Sequence, residues 1–344
     1  MKSKKYLEFR EKYLDTYIVA YNEKLTLQWQ EEWDKRIKLI QGQIEKVISN
    51  IVTIQQQIPV EIGCIQISLL LSSIESGHPE LMYEVYDARM EFGTLLYAQT
   101  FQADWFLADW EEVKQQIKDK IVELKWQEYL GEEAVKAFFY ENINIVLASV
   151  AFALKYEFKD FMKYKGAEQL EIIDGFYLSL GEYRGWKNIL YRYVESKDIL
   201  QQGLEKEFSY MKFLECHYRE KRLASFKLAH ATFEKCVFLN MTFHEVDFRD
   251  ANFEDCVFRE CVFEKCLLNG TEFKQCDMQR VDWIENQMRS GPVVDEDGGQ
   301  DVFRPTVFDR CILHKHTFRK NVIEGSLRVS CDEEEVENIE NEIL

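Results

Sequence analysis

The sequence predicts an α+β chain: a mostly α-helical N-terminal domain with a β-hairpin, followed by a solenoid that turns a corner every five residues. Three observations carry this expectation. From residue 226 to 283 a large apolar side chain stands at every fifth position, as at Leu228, Phe233, Phe238, Phe253, Phe258 and Trp283. Two positions before each sits a smaller one, often Ala, Cys, Thr or Val. Upstream, Trp33, Ile37, Ile40, Ile44, Val47, Ile51 and Ile54 step by three or four. That last spacing is one face of a helix. The five-residue spacing suits neither regular element. Five helical residues advance about 500°, so the apolar positions would spiral around the axis. On a flat strand an odd period sends successive apolar residues to opposite faces. A chain that bends every five residues points all of them inward, and short periods of this kind signal a solenoid.

Taken in order, residues 3–56 read as one or two long amphipathic helices, ended by Pro59. Their apolar stripe is suited to another helix of the chain or to a second copy. Residues 61–92 change character: Cys64 to Ile74 is rich in Ile, Leu and Ser, Ser76-Gly77-His78-Pro79 is a turn signal, and Leu81 to Tyr86 partly alternates. This predicts a hairpin, with a helix over 61–74 as the alternative. One helix is expected from Asp104, as N-cap, to Leu130, and a second from Glu132 to Lys163 with Gly131 at the break. Residues 168–210 read as one or two more helices, interrupted by glycines at 175, 181 and 185. No proline falls between 79 and 292, so the helical domain (1–210) is expected to run onto the first coil and cover its open edge. The repeats occupy 211–325, with Phe213, Tyr218 and Leu223 in phase but Lys221 at an inward position, so that stretch is expected to be a capping helix. Residues 284–302 break the rhythm with Gly, Pro and Asp and read as a loop pushed out of the wall. The phase then resumes at Phe303, Phe308, Leu313, Phe318 and Ile323, and 326–344 reads as an acidic tail.

The fives from Phe226 to Trp283 resemble the pentapeptide-repeat family. The resemblance covers about a third of the chain and implies a right-handed, four-sided (quadrilateral) β-helix. Two features depart from the family: Cys replaces Ala at many smaller inward positions, and Phe226 and His316 are large for theirs.

Charge and cysteine usage restrict the function. The formal net charge is −18. Residues 211–325 carry 17 Lys and Arg against 20 Asp and Glu, while 326–344 carry one against seven. The balance of −9 left for 1–210 puts most acidity outside the repeats, and no basic stripe with interleaved aromatics suggests direct nucleic-acid binding. The N-terminus MKSKKYLEF lacks an apolar signal core, and Ile143 to Leu154 is too short to span a bilayer, so a cytoplasmic protein without membrane contact is expected. Of nine cysteines, Cys216, Cys236, Cys256, Cys261, Cys266, Cys276 and Cys311 share the smaller inward phase. A packing register does not suit a disulfide scaffold, and reduced thiols fit the cytosol. Cys216, Cys236, Cys256 and Cys276 are expected to stack in one column as an apolar ladder. A metal site would need ligands converging on a point.

No residue is nominated as catalytic, cofactor-binding or metal-ligating. His314 and His316 lie two apart with Cys311 nearby, but only one of the two can face inward. Acidic residues at 295, 296, 297 and 301 lack the full calcium-loop spacing. Asp104-Trp105 and Asp109-Trp110 read as helix-start residues. The expectation is a non-catalytic protein-binding module (adaptor, chaperone, immunity or scaffold protein) without cofactor, whose partner is another protein. A homodimer could form through the N-terminal helices or the β-helix end. The alternative comes from the resemblance: some members mimic B-DNA and modulate type II topoisomerases.

Overall fold

The computed structural model describes residues 4–107, 110–130, 132–195, 199, 206–294, 300–324 and 328–344. Contacts divide the chain into Met1–Arg192 and Tyr193–Leu344, where the sequence suggests a boundary at 210.

The first unit begins with helices α1 (Lys4–Phe9), α2 (Asp15–Glu31) and α3 (Trp33–Gln57), α1 and α2 being joined by a π-turn. The stripe buries Ile37, Ile40, Ile44, Val47 and Ile51, as its spacing requires. Strand β1 (Ile62–Leu69), a short helix α4 (Leu71–Glu75) and strand β2 (Glu80–Asp87) follow, with β1 and β2 antiparallel. These two strands are part of a larger sheet rather than an isolated hairpin. Strands β3 (Leu95–Gln102), β4 (Ile172–Glu182) and β5 (Lys187–Arg192) complete five, in the order β3-β2-β1-β4-β5. Only β1–β4 is parallel.

The helices expected over 168–210 are thus corrected: 172–192 is β-structure. Phe176, Leu178 and Leu180 alternate with Tyr177, Ser179 and Gly181, a period of two. Gly181 lets β5 come close, since a Cβ there would lie 2.1 Å from the Trp186 carbonyl oxygen. The remaining helices are shorter than expected. Helix α5 covers Trp110–Glu123, with Asp104 in the preceding turn, and α6 covers Glu132–Glu157. One sheet face, with Ile65, Ile67, Tyr83, Val85, Leu178 and Leu180 buried, packs on helices. There the Tyr83 hydroxyl donates to Gln43 of α3 at 2.7 Å, and Phe161, just after α6, stacks on Phe176 at 5.8 Å.

The second unit is a coil of three-residue strands in parallel register. Val237 pairs with Val257, Thr242 with Val262 and Asn252 with Glu272, so one turn takes twenty residues, or four fives. Glu272 pairs with Val307, so fifteen residues are looped out between them. The expected loop at 284–302 contains an antiparallel hairpin, Gly291–Val294 with Gln300–Phe303. Nearly every corner residue is left-handed, as at Asn240 (φ 53°), Asp255 (φ 53°) and Lys265 (φ 56°). This bend turns the chain at every fifth residue. The backbone groups there are satisfied between turns: Asn240 N–H donates to the Arg259 carbonyl at 2.8 Å, and Val257 N–H to that of Cys236 at 2.9 Å.

Two boundaries of the coil differ from expectation. Residues 212–224 are three strands, not a capping helix; Lys221 at its inward position is exposed, because an outermost turn leaves a route to water. The acidic tail is a further turn. Arg328–Val329, Asp332–Ile339 and Glu342–Ile343 pair in parallel with the turn before.

Candidate functional site

The coil's interior is filled by side-chain columns. Phe213, Phe233, Phe253, Phe273 and Phe308 stack with centroids 4.7, 4.7, 4.8 and 5.0 Å apart. These steps follow the spacing of neighbouring strands, about 4.8 Å. Cys216, Cys236, Cys256 and Cys276 form a second column, and the register continues it through Cys311 and Cys331. Cys236, Cys256 and Cys276 each turn the thiol to a phenylalanine carbonyl 23 residues earlier, at 3.3 Å. Burial pushes the Cys261 thiol up to about 11 and that of Cys266 up to about 12, away from the reactive thiolate. A third column changes from Cys266 to Asn286, Asn321 and Asn341. Each asparagine accepts the backbone N–H of its predecessor at 2.8–2.9 Å and donates to a carbonyl at 2.9 Å.

The wall carries the chemistry a partner can meet. Glu245, Lys265, Glu285, Lys320 and Glu340 occupy one exposed corner column, alternating in sign at each turn. Neighbouring columns pair across turns: His244 with Glu264 at 2.7 Å, Arg280 with Glu260 at 2.6 Å, and Arg259 with Asp277. Exposed pairs of this type contribute about 0–1 kcal/mol each. Their larger effect is to cancel charge along the rod.

The last turn replaces the apolar inward set by Arg328, Glu333 and Asn338, which pair in register with Phe308, Leu313 and Phe318. Arg328 lies over the Phe318 ring at 4.6 Å and donates to Glu333 at 3.0 Å and to Asn338 at 3.4 Å. The guanidinium thus covers an aromatic core while its N–H groups are satisfied by polar neighbours. Beside it, His314 stands 3.4 Å from Asp332 and 3.6 Å from Glu334.

In the first unit, the sheet face opposite the helices is polar. Cys64, Gln66 and Ser68 of β1 lie beside Glu84 and Tyr86 of β2 and Tyr177 and Ser179 of β4. Gln66 donates to the Tyr177 hydroxyl at 3.2 Å, Tyr177 to Glu91 at 2.5 Å and Tyr86 to Glu84 at 3.0 Å. Ser68 and Ser179 are buried with no hydrogen-bond partner for either hydroxyl among the described residues. Burial pushes the Cys64 thiol up to about 11 and lowers the Lys187 ammonium. A raised thiol is the opposite of an activated nucleophile. This face can hydrogen-bond, and its thiol is not poised to attack.

The residues weighed from sequence do not converge. His316 is buried at a small inward position, while His314 faces the wall, as a strand demands. Trp105 joins Trp29 and Phe106 in an aromatic cluster, and Asp104 lies 3.9 Å from His78. Asp109 and the acidic residues 295–297 fall outside the described residues, as does the side chain of Asp301. Among the described residues no group of three or more His, Cys, Asp or Glu could hold a metal ion, and no helix is long and apolar enough to cross a membrane. The polar sheet face was missed by sequence reading. The alternation of β4 was the available signal for one of its strands.

The repeat architecture is that of pentapeptide-repeat proteins. The family described as Pentapeptide repeat region matches residues 226–291. No curated protein matches the chain. Among solved structures, a trypsin-treated variant of QnrB1, a plasmid-mediated fluoroquinolone resistance protein, is 15% identical, covering 41% of this chain and 88% of its own, with a TM-score of 0.25. The pentapeptide-repeat protein Rfr23 from the cyanobacterium Cyanothece 51142 is 9% identical, covering 41% and 92%, with a TM-score of 0.23. HetL from Nostoc sp. strain PCC 7120, involved in heterocyst differentiation regulation, is 9% identical, covering 44% and 94%, with a TM-score of 0.12.

Proposed function

We propose that the protein is a non-catalytic, cytoplasmic protein-binding module, an adaptor, chaperone, immunity or scaffold protein, whose coils are right-handed and four-sided. One observation carries the reading: the coil is filled by stacked side chains and its wall is close to neutral, with one exposed corner column alternating in charge from Glu245 to Glu340. Such a wall offers a partner fixed spacing rather than a cavity. It also differs from a duplex mimic, which needs a continuous negative stripe within about 8–10 Å of its target. Glu245, Lys265, Glu285 and Lys320 cancel along their column instead. The acidity that remains uncompensated belongs to the helical domain and the last turn, and these supply the charged contacts.

The test is binding with the wall altered. Immobilised full-length protein should retain one stoichiometric protein from native lysate. Reversal of Glu245→Lys, Lys265→Glu and Glu285→Lys together should release it. Equal retention by the altered wall would overturn the assignment of binding to that surface. Inhibition of gyrase supercoiling at about 1 µM protein would overturn the reading in favour of the mimic.

A further inference from the structure

Strand β3 is an edge of the five-stranded sheet and, among the described residues, pairs on one side only, with β2. Its eight residues, LLYAQTFQ, contain no charge and no proline. The opposite edge, β5, carries Lys187 and Arg192. The outermost strand of the coil, Asp332–Ile339, carries five carboxylates in eight residues. Proteins usually guard open edges in these ways, since a bare edge is a template for another strand. Edge β3 carries no charge of its own, although 30% of the chain is charged, and its one irregularity against β2 is a bulge at Leu96, near its start.

The strand is also held ready for a partner. On its inner face Phe101 packs edge-on against Tyr83 at 5.2 Å, beneath the Lys46 ammonium at 5.9 Å. Tyr97 accepts from Asn50 of α3 at 3.0 Å and donates to Gln99 at 2.6 Å. An incoming strand would therefore meet a pre-ordered template, with little ordering entropy left to oppose binding. The outer face exposes Leu95, Ala98, Thr100 and Gln102, and just ahead of the strand Phe92 is 86% exposed.

We propose that β3 pairs antiparallel with β3 of a second copy across a two-fold axis, joining two sheets into one of ten strands. Charge identifies the occupant. Each copy carries −18, so most surfaces repel their own image, whereas β3 places no like charges opposite each other. Antiparallel pairing about a two-fold is self-complementary, so one sequence serves both sides. The strand carries no charge that would select a foreign segment. Phe92 and Leu95 lie at one end of β3, so the two-fold sets one such apolar pair at each end of the junction.

Sedimentation of the full-length protein tests this. The expected mass at about 10 µM is twice the 41.1 kDa of one chain. Ala98→Lys and Thr100→Lys, both at exposed positions, should each yield monomer with unchanged circular dichroism. A monomeric wild type would overturn the proposal, and so would a dimer indifferent to both substitutions. Should either variant misfold, hydrogen exchange of the wild type decides. Amides of 95–102 should lose protection on dilution, and concentration-independent protection would refute the pairing.

Discussion

Acidification should weaken the coil through one buried imidazole. His316 is 1% exposed, and both its ring nitrogens are engaged. Trp283 Nε1–H donates to Nδ1 at 3.1 Å, so Nδ1 carries no proton, and Nε2–H donates to the Met278 carbonyl at 3.1 Å. Protonation at Nδ1 would set two N–H groups against each other inside a packed core. Burial, with Arg328 and His314 adding to it, lowers the imidazole from 6.5 to about 4. Because the folded value lies below the unfolded one, the unfolded chain takes up a proton that the folded chain refuses. Stability therefore falls as pH drops from about 6.5 toward 4. At about 1.4 kcal/mol per unit the full loss is about 3 kcal/mol, of which about 2 kcal/mol appears between pH 7 and 4.5. His316→Leu isolates this contribution. The variant should be less stable at pH 7, because the Trp283 N–H loses its acceptor at a cost of about 1–3 kcal/mol. Acid should then cost it less than wild type. Urea titrations of both proteins, followed by circular dichroism at the two pH values, give the double difference. Other titrating groups are common to both and cancel. A difference that stays constant between pH 7 and 4.5 would refute the buried neutral histidine.

Three further outcomes are expected. Phe258→Ala should lower stability by about 3–5 kcal/mol, because the ring is fully buried, stacked on Phe238 at 4.8 Å and edge-on to Phe253 at 5.6 Å; a loss below about 1 kcal/mol in urea unfolding would contradict the packing. Cys236, Cys256, Cys261, Cys266 and Cys276 should react slowly with a thiol reagent until denaturant is added, and rapid labelling of the native protein would refute the ladder. At the corners, Gly270→Ala should destabilise, since φ is +76° and a Cβ would lie 2.0 Å from Asp250 Oδ1. Gln275→Gly, at an exposed corner with φ 51°, should stabilise by a few tenths to about 1 kcal/mol in the same assay.

The middle of the coil was legible because each turn there has neighbours on both sides, which forces every inward position to be apolar. The outer turns escape that constraint. Lys221 disguised the first as a helix, and Arg328, Glu333 and Asn338 disguised the last as a tail, since side chains at an outermost turn can reach water or one another. In the first unit the helical stripe from Ile37 to Ile51 was legible through its spacing. Strand β4 was obscured by Gly175 and Gly181, which read as helix breaks, whereas Gly181 admits the backbone of β5. The polar sheet face could not be read as a whole. Cys64, Glu84, Tyr177 and Lys187 come from four strands whose spatial order no sequence spacing encodes.

The last turn also changes where the acidity acts. Read as a tail, residues 326–344 were a separate charge beside a nearly neutral rod. Folded, they place Glu335 3.9 Å from Lys315 and Glu340 3.7 Å from Lys320, while His314 meets Asp332 and Glu334. Half of each pair therefore belongs to the turn before, and the same alternation that neutralises the wall continues to its last layer. What remains unbalanced is the difference within that layer, seven acidic residues against Arg328 alone among residues 326–344. A negative stripe along the rod would need like charges stacked turn on turn. The corner column from Glu245 to Glu340 instead sets unlike charges turn on turn, and within residues 211–344 most of the excess gathers in the last layer, which leaves the wall a nearly neutral surface for a partner.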